Sequence, residues 1–135
     1  VRMTRFWISL TQGGELVIKA LAEATGGETF ISKIPSFKIT DLAEAMLPGC
    51  KMKETGIRPG EKLHEIMVTT EDSATTYEYD RHFIVYPQMT WNNRQQPDLS
   101  GRNVEEGFHY SSDNNTEWIG VEEIRTLLKD VELEK

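Results

Sequence analysis

The chain has 135 residues, 15 of them Lys or Arg and 22 Asp or Glu, for a formal charge of -7. At that length one domain can bury roughly two thirds of the surface its unfolded chain exposes, and 38% hydrophobic with 27% charged residues is ordinary composition for a soluble globular protein. The acidic balance argues against general affinity for nucleic acid, which calls for a basic surface, and no apolar run approaches the roughly 20 residues of a membrane span.

Taken in chain order, Phe6-Trp7-Ile8 is aromatic and β-branched and predicts a short strand. Ser9 followed by Gln12 is a capping-box pair that starts a helix, and Leu10, Val17, Leu21 and Ala24 recur at helical spacing. Leu16 and Ala20 widen that stripe, and Gly26-Gly27 stops it. Residues 28–34 predict a strand, broken at Pro35-Ser36. A second helix over 39–47 places Ile39, Leu42, Ala43 and Met46 on one face and ends at Pro48-Gly49. Residues 51–57 alternate enough for an exposed strand.

Pro59-Gly60 then predicts a tight turn, with a short helix over 61–67 that turns Leu63, Ile66 and Met67 inward. Residues 75–80 and 82–86 are β-prone and read as a pair. Residues 88–101, rich in Asn, Gln, Pro and Gly, read as a loop. A polar turn over 110–115, a brief strand over 117–119 and a closing helix over 121–129 complete the pattern, with residues 132–135 expected to fray. Val121, Ile124, Leu127 and Leu128 form the apolar face of that helix. The class is mixed α/β, with neither an internal repeat nor a clear linker.

Compartment and completeness give two more expectations. Residues 1–10, VRMTRFWISL, lack the apolar core and cleavage site of a signal peptide. Cys50 is a single cysteine without an internal partner, which suits a reducing cytoplasm. The chain opens on Val1 and turns strongly apolar within a few residues, which reads as the interior of a longer protein.

Catalytic machinery is sparse. Gly13-Gly14 and Gly26-Gly27 lack the spacing of a phosphate-cradling loop. His64, His82 and His109 are scattered and make no metal-ligand pair, and Cys50 has no activating neighbour. Glu122 and Glu123 suit the first turn of a helix on dipole grounds alone. Trp7, Trp91 and Trp118 could stack on a base, although packing explains an isolated tryptophan as well. What remains is Arg58 with Glu61 around the Pro-Gly corner, and Arg5 far upstream. Guanidinium matches phosphate oxygens, a carboxylate matches vicinal hydroxyls, and a helix start favours anions. A surface ion pair worth no more than about 1 kcal/mol is the competing reading of the same residues.

Four blocks, MTRFWISLTQGG, GGETFISKIPSFKITDLAEAM, GIRPGEKLHEIM and EGFHYSSDNNTEWIGVEEIRTLL, together resemble the C-terminal portion of the inverting UDP-N-acetylglucosamine 4,6-dehydratases. These are extended short-chain dehydrogenase/reductase lyases that open bacterial routes to pseudaminic acid and related sugars. RPGEKLHE is shared more widely among nucleotide-sugar dehydratases, while its combination with MTRFWI and YSSDNNTEW is more specific.

The resemblance implies an α/β fold made of the end of a Rossmann-type sheet and a small α/β substrate-binding lobe. Residues 1–35 would supply the last strands and helix of the nucleotide-binding domain, and residues 36–135 the substrate lobe. It implies that Arg5 and Arg58 contact the diphosphate of UDP-N-acetylglucosamine and that Glu61 contacts the ribose. It also implies a homo-oligomer. The family uses bound NADP, which takes hydride from sugar C4 and returns it to C6 after water is lost, with inversion at C5. That chemistry calls for a glycine-rich loop and a Tyr-x-x-x-Lys pair. Here Tyr77-Glu78-Tyr79-Asp80-Arg81 carries Arg where Lys is required. No catalytic or cofactor-binding residue is therefore assigned, and the isolated chain is expected neither to hold NADP tightly nor to turn over substrate. A retaining dehydratase, a related nucleotide-sugar epimerase and a non-catalytic UDP-binding or assembly module stand as alternatives.

Overall fold

The computed structural model describes residues 2–88 and 99–133. Trp91, most of the expected 88–101 loop and the last two residues of the expected frayed end lie outside the described residues. The chain folds into two compact units that are interleaved in sequence: residues 2–7, 34–65 and 111–133 form one, residues 8–33, 66–88 and 99–110 the other.

In the first unit β1 (Thr4–Phe6) runs antiparallel to β3 (Ser36–Lys38), with Arg5 opposite Phe37. The expected strand over residues 6–8 starts earlier than predicted, because its partner ladder begins at Thr4↔Lys38. β3 itself was not legible. Pro35 looks like a breaker, yet the Ser36 N–H donates to Glu117 O (2.8 Å) and the Ile119 N–H donates to Ser36 O (2.9 Å). The brief strand expected at 117–119 is thereby a single parallel bridge, Ser36↔Trp118. Helices α2 (Ile39–Met46) and α3 (Val121–Leu133) form where periodicity placed them, α3 running beyond the predicted end. Phe37, Ala45 and Ile124 make the core, with Trp7, Ile39, Leu42, Ile119, Val121 and Leu128 packed against it. Trp7 meets Phe37 edge-on at 5.7 Å.

The second unit holds α1 (Leu10–Glu23) and a four-stranded antiparallel sheet in the order β2 (Thr29–Ser32), β6 (His82–Val85), β5 (Thr76–Glu78), β7 (Arg102–Asn103). The β5–β6 pair is the hairpin predicted from the sequence. β4 (Ile66–Val68) pairs with β8 (Tyr110–Ser111). The Phe83 ring meets those of Phe108 and Tyr110 at 5.4 and 5.1 Å, and Ile31, Val68, Ile84 and Val104 are buried in the same unit. The α1 capping box forms as the spacing predicts: the Gln12 N–H donates to Ser9 Oγ (3.1 Å) and the Ser9 N–H to Gln12 Oε1 (2.9 Å). Its apolar stripe is not core, however. Leu10 is 86% exposed, Leu21 80% and Val17 58%.

Two further expectations are corrected. Residues 51–57 are exposed and form no strand, since among the described residues no backbone pairs with them. Residues 61–67 form no helix: after the Pro-Gly turn the chain extends into β4, where backbone pairing with β8 satisfies groups a helix would have bonded internally. Ile66 and Met67 are consequently 48% and 39% exposed rather than turned inward. No described helix is long and apolar enough to cross a membrane.

Candidate functional site

Residues 58–61 form a β-turn. The Glu61 N–H donates to Arg58 O (3.0 Å), Pro59 fixes the first corner position and Gly60 takes φ +86 at the second. Pro then Gly at positive φ is the type II arrangement, which an L-residue with a Cβ fits poorly at the Gly60 position. The turn sets Arg58 and Glu61 side by side. The Arg58 N–H donates to Glu61 Oε2 (3.1 Å), and Arg58 Nη1 stands 3.8 Å from Glu61 Oε1. The Arg58 side chain is 83% exposed, so this pair adds little stability. The helix start expected to assist an anion here is absent.

Arg5 is brought to the chain immediately beyond that corner. Its Nη1 donates to Thr4 O (2.7 Å) and Leu63 O (3.2 Å), its Nη2 to Lys62 O (3.1 Å), and its Nε stands 3.2 Å from Glu65 Oε1. Three hydrogen bonds and one ion pair thus hold the guanidinium within the protein. The Thr4 N–H reinforces the junction by donating to Leu63 O (3.2 Å).

Below it lies a polar cluster that sequence reasoning missed. Thr4 Oγ1 is 2.7 Å from both His64 Nδ1 and Ser112 Oγ. Ser112 Oγ accepts the Glu65 N–H at 3.0 Å, and the Ser112 N–H donates to Glu65 O at 2.8 Å. His64 Nε2 faces Asp113 Oδ2 at 3.9 Å. Asn115 anchors the same loop by donating from Nδ2 to Ile34 O, Ser36 Oγ and Glu117 O. Three of the sequence blocks, MTRFW, RPGEKLHE and YSSDNNTEW, therefore meet in one place. No spacing rule links Thr4, His64 and Ser112; the only signal was that their blocks occur together.

In the second unit a cavity of about 400 Å³ is lined by Lys19, Glu23, Phe30, Tyr79, His82 and Tyr86, among others. His82 stacks on Tyr79 (4.8 Å) and on Phe30 (6.1 Å), and burial pushes its pKa below the ordinary 6.5. Among the described residues no cluster of His, Cys, Asp and Glu could hold a metal ion.

The described residues also do not fit a dinucleotide. Gly13 and Gly14 lie inside α1, and Gly26-Gly27 lead from helix to strand, so neither pair opens a helix whose N–H groups could face a pyrophosphate. Tyr77 packs edge-on against Tyr86 at 5.4 Å and Tyr79 shares a 2.8 Å hydrogen bond with the Tyr86 hydroxyl.

The RPGE turn, Arg5 and the Thr4–His64–Ser112 cluster bring together distant segments of an α/β chain, and comparison with known proteins gives that chain a family. The chain belongs to the polysaccharide biosynthesis protein family, whose model matches residues 1–87. It is 44% identical to the inverting UDP-N-acetylglucosamine 4,6-dehydratase of Campylobacter jejuni (strain 81-176), over 97% of this chain and 41% of that protein. The UDP-glucose 4-epimerase of Rickettsia akari is 29% identical over 93% of this chain and 38% of its own length. Among solved structures, Pen from Bacillus thuringiensis superposes with a TM-score of 0.75 at 33% identity, covering 98% of this chain and 38% of that one. The chain thus spans about two fifths of the length of these curated relatives.

Proposed function

We propose that the chain is the UDP-sugar-holding part of an NADP-dependent, inverting UDP-N-acetylglucosamine 4,6-dehydratase, a bacterial cytoplasmic lyase of the pseudaminic acid type of pathway that works as a homo-oligomer. The observation that carries this reading is the type II turn at residues 58–61, which presents a guanidinium and a carboxylate together to solvent. The Arg58 fork offers paired donors to diphosphate oxygens. The Glu61 carboxylate accepts from the two ribose hydroxyls, giving up its contacts to Arg58 as the nucleotide enters. Arg5 contributes positive charge from the adjoining backbone. In this reading NADP and the acid and base groups are held outside the 135 residues.

UDP titration by calorimetry into the complete enzyme tests it. Arg58→Ala and Glu61→Gln are each expected to weaken UDP binding by about ten- to a hundredfold, the loss of a charge-assisted hydrogen bond. Unchanged affinity in both variants would leave only a surface ion pair. The match to an epimerase favours a second reading, 4-epimerisation. NMR of the product separates the two: a 4-keto-6-deoxy sugar for the dehydratase, a C4 epimer otherwise.

A further inference from the structure

The Arg58–Glu61 turn is exposed and has few contacts of its own, so whatever fixes its position must act from outside it. The structure supplies one such support. Thr4 and Ser112 are buried, 5% and 0% exposed, on segments that flank the turn's C-terminal continuation. Their hydroxyls lie 2.7 Å apart, Thr4 Oγ1 reaches His64 Nδ1 at 2.7 Å, and Ser112 Oγ takes the Glu65 N–H at 3.0 Å. These contacts bracket residues 64 and 65, three and four positions after Glu61.

The direction of the chain of hydrogen bonds follows from proton accounting. If Ser112 donates to Thr4, and Thr4 donates to His64 Nδ1, every hydroxyl proton has an acceptor. In the reverse direction the Ser112 proton has no acceptor among these contacts, and Ser112 is fully buried. The first direction fixes His64 as the tautomer with its proton on Nε2, the atom that faces Asp113.

We infer that Thr4, Ser112 and His64 are positioning residues for the nucleotide-binding turn, fixing the chain after Glu61 so that Arg58 and Glu61 meet the nucleotide in register. This rests on the reading of that turn as the UDP contact. It assigns no role in the chemical step to the three residues, and therefore separates binding from turnover.

Steady-state kinetics of the complete enzyme test it, with Thr4→Val, Thr4→Ser, Ser112→Ala and Arg58→Ala side by side. Thr4→Val keeps the shape of the side chain and removes the hydroxyl. It is expected to raise KM for the UDP-sugar about tenfold while kcat stays within about twofold, the signature of lost ground-state binding. Thr4→Ser restores the hydroxyl and is expected to return KM to within about twofold of the parent. A parent-like KM in Thr4→Val, or a raised KM that serine does not rescue, overturns the proposal. Should Thr4→Val fail to fold, Ser112→Ala carries the test: a KM raised about tenfold supports the proposal and an unchanged KM overturns it. Arg58→Ala distinguishes the two layers. If it raises KM while Thr4→Val and Ser112→Ala do not, the positioning role alone is wrong; if it leaves KM unchanged, the reading of the turn fails and the inference falls with it.

Discussion

Arg5 and Glu65, far apart in sequence, stand 3.2 Å apart at Nε and Oε1, and the same guanidinium donates to the carbonyls of Thr4, Lys62 and Leu63. One side chain therefore ties β1 to the segment that follows the RPGE turn. Lysine offers a single point of charge and cannot span these acceptors. Arg5→Lys is expected to destabilise the first unit by about 1–3 kcal/mol, read from urea unfolding. A variant as stable as the parent would show that the carbonyl contacts add nothing net.

Gly101 and Gly13 predict opposite signs. A Cβ at Gly101 would sit 2.6 Å from Tyr79 Cζ and 3.0 Å from Glu78 O. The Tyr79 ring cannot swing away cheaply, being stacked on His82 and bonded through its hydroxyl to Tyr86. Gly101→Ala is expected to cost about 1–3 kcal/mol through overpacking. Gly13 lies in α1 with nothing within 4 Å of a new Cβ, so Gly13→Ala is expected to gain up to about 1 kcal/mol of helix propensity. Thermal melts of the two variants on either side of the parent would check both.

His82 makes the second unit sensitive to mild acid. Burial, chiefly, and nearby Lys19 hold its pKa below the ordinary 6.5. The unfolded chain then binds the proton more tightly than the folded one, so stability is complete above 6.5 and falls as pH drops towards the folded value. His82→Phe keeps an aromatic ring between Phe30 and Tyr79 and removes the titration. Its melting temperature should change less between about pH 7.5 and pH 5.5 than that of the parent; equal slopes would dismiss His82 as the cause. A second loss is expected below 4.5. There Glu78, whose pKa is lowered by hydrogen bonds from Arg102 and Lys33, takes up a proton and releases them.

Apolar residues at similar helical spacing differ sharply in cost. Ile124 on α3 is 0% exposed, and Ile124→Ala is expected to lose about 2–5 kcal/mol. Leu21 on α1 is 80% exposed, and Leu21→Ala should stay within about 0.5 kcal/mol of the parent in this chain. Chemical denaturation of both variants measures the contrast directly.

What the sequence alone determined was local. The Ser9–Gln12 capping box, the helices α2 and α3, the β5–β6 hairpin and the Pro59-Gly60 turn all arise from interactions among residues a few positions apart, and such signals survive in one dimension, although α2 buries Ala45 and leaves the expected Met46 exposed. The pairing of Arg58 with Glu61 was legible for the same reason.

The tertiary structure decided the rest. Residues 36–38 pair with β1, which makes a strand where Pro35 suggested a break, and Ser36 adds a bridge to Trp118. The stretch after Glu61 extends instead of coiling because β8 offers its backbone groups a partner. The periodic stripe of α1 carries a correct helix but says nothing about what covers it, and in this chain it faces solvent. Thr4, His64 and Ser112 acquire their meaning only when distant segments converge, since a hydroxyl has no preferred sequence spacing to the group it bonds across a fold. Backbone propensity acts over one or two turns of chain, whereas burial and hydrogen-bond satisfaction are settled between segments, and those are the terms that built this site.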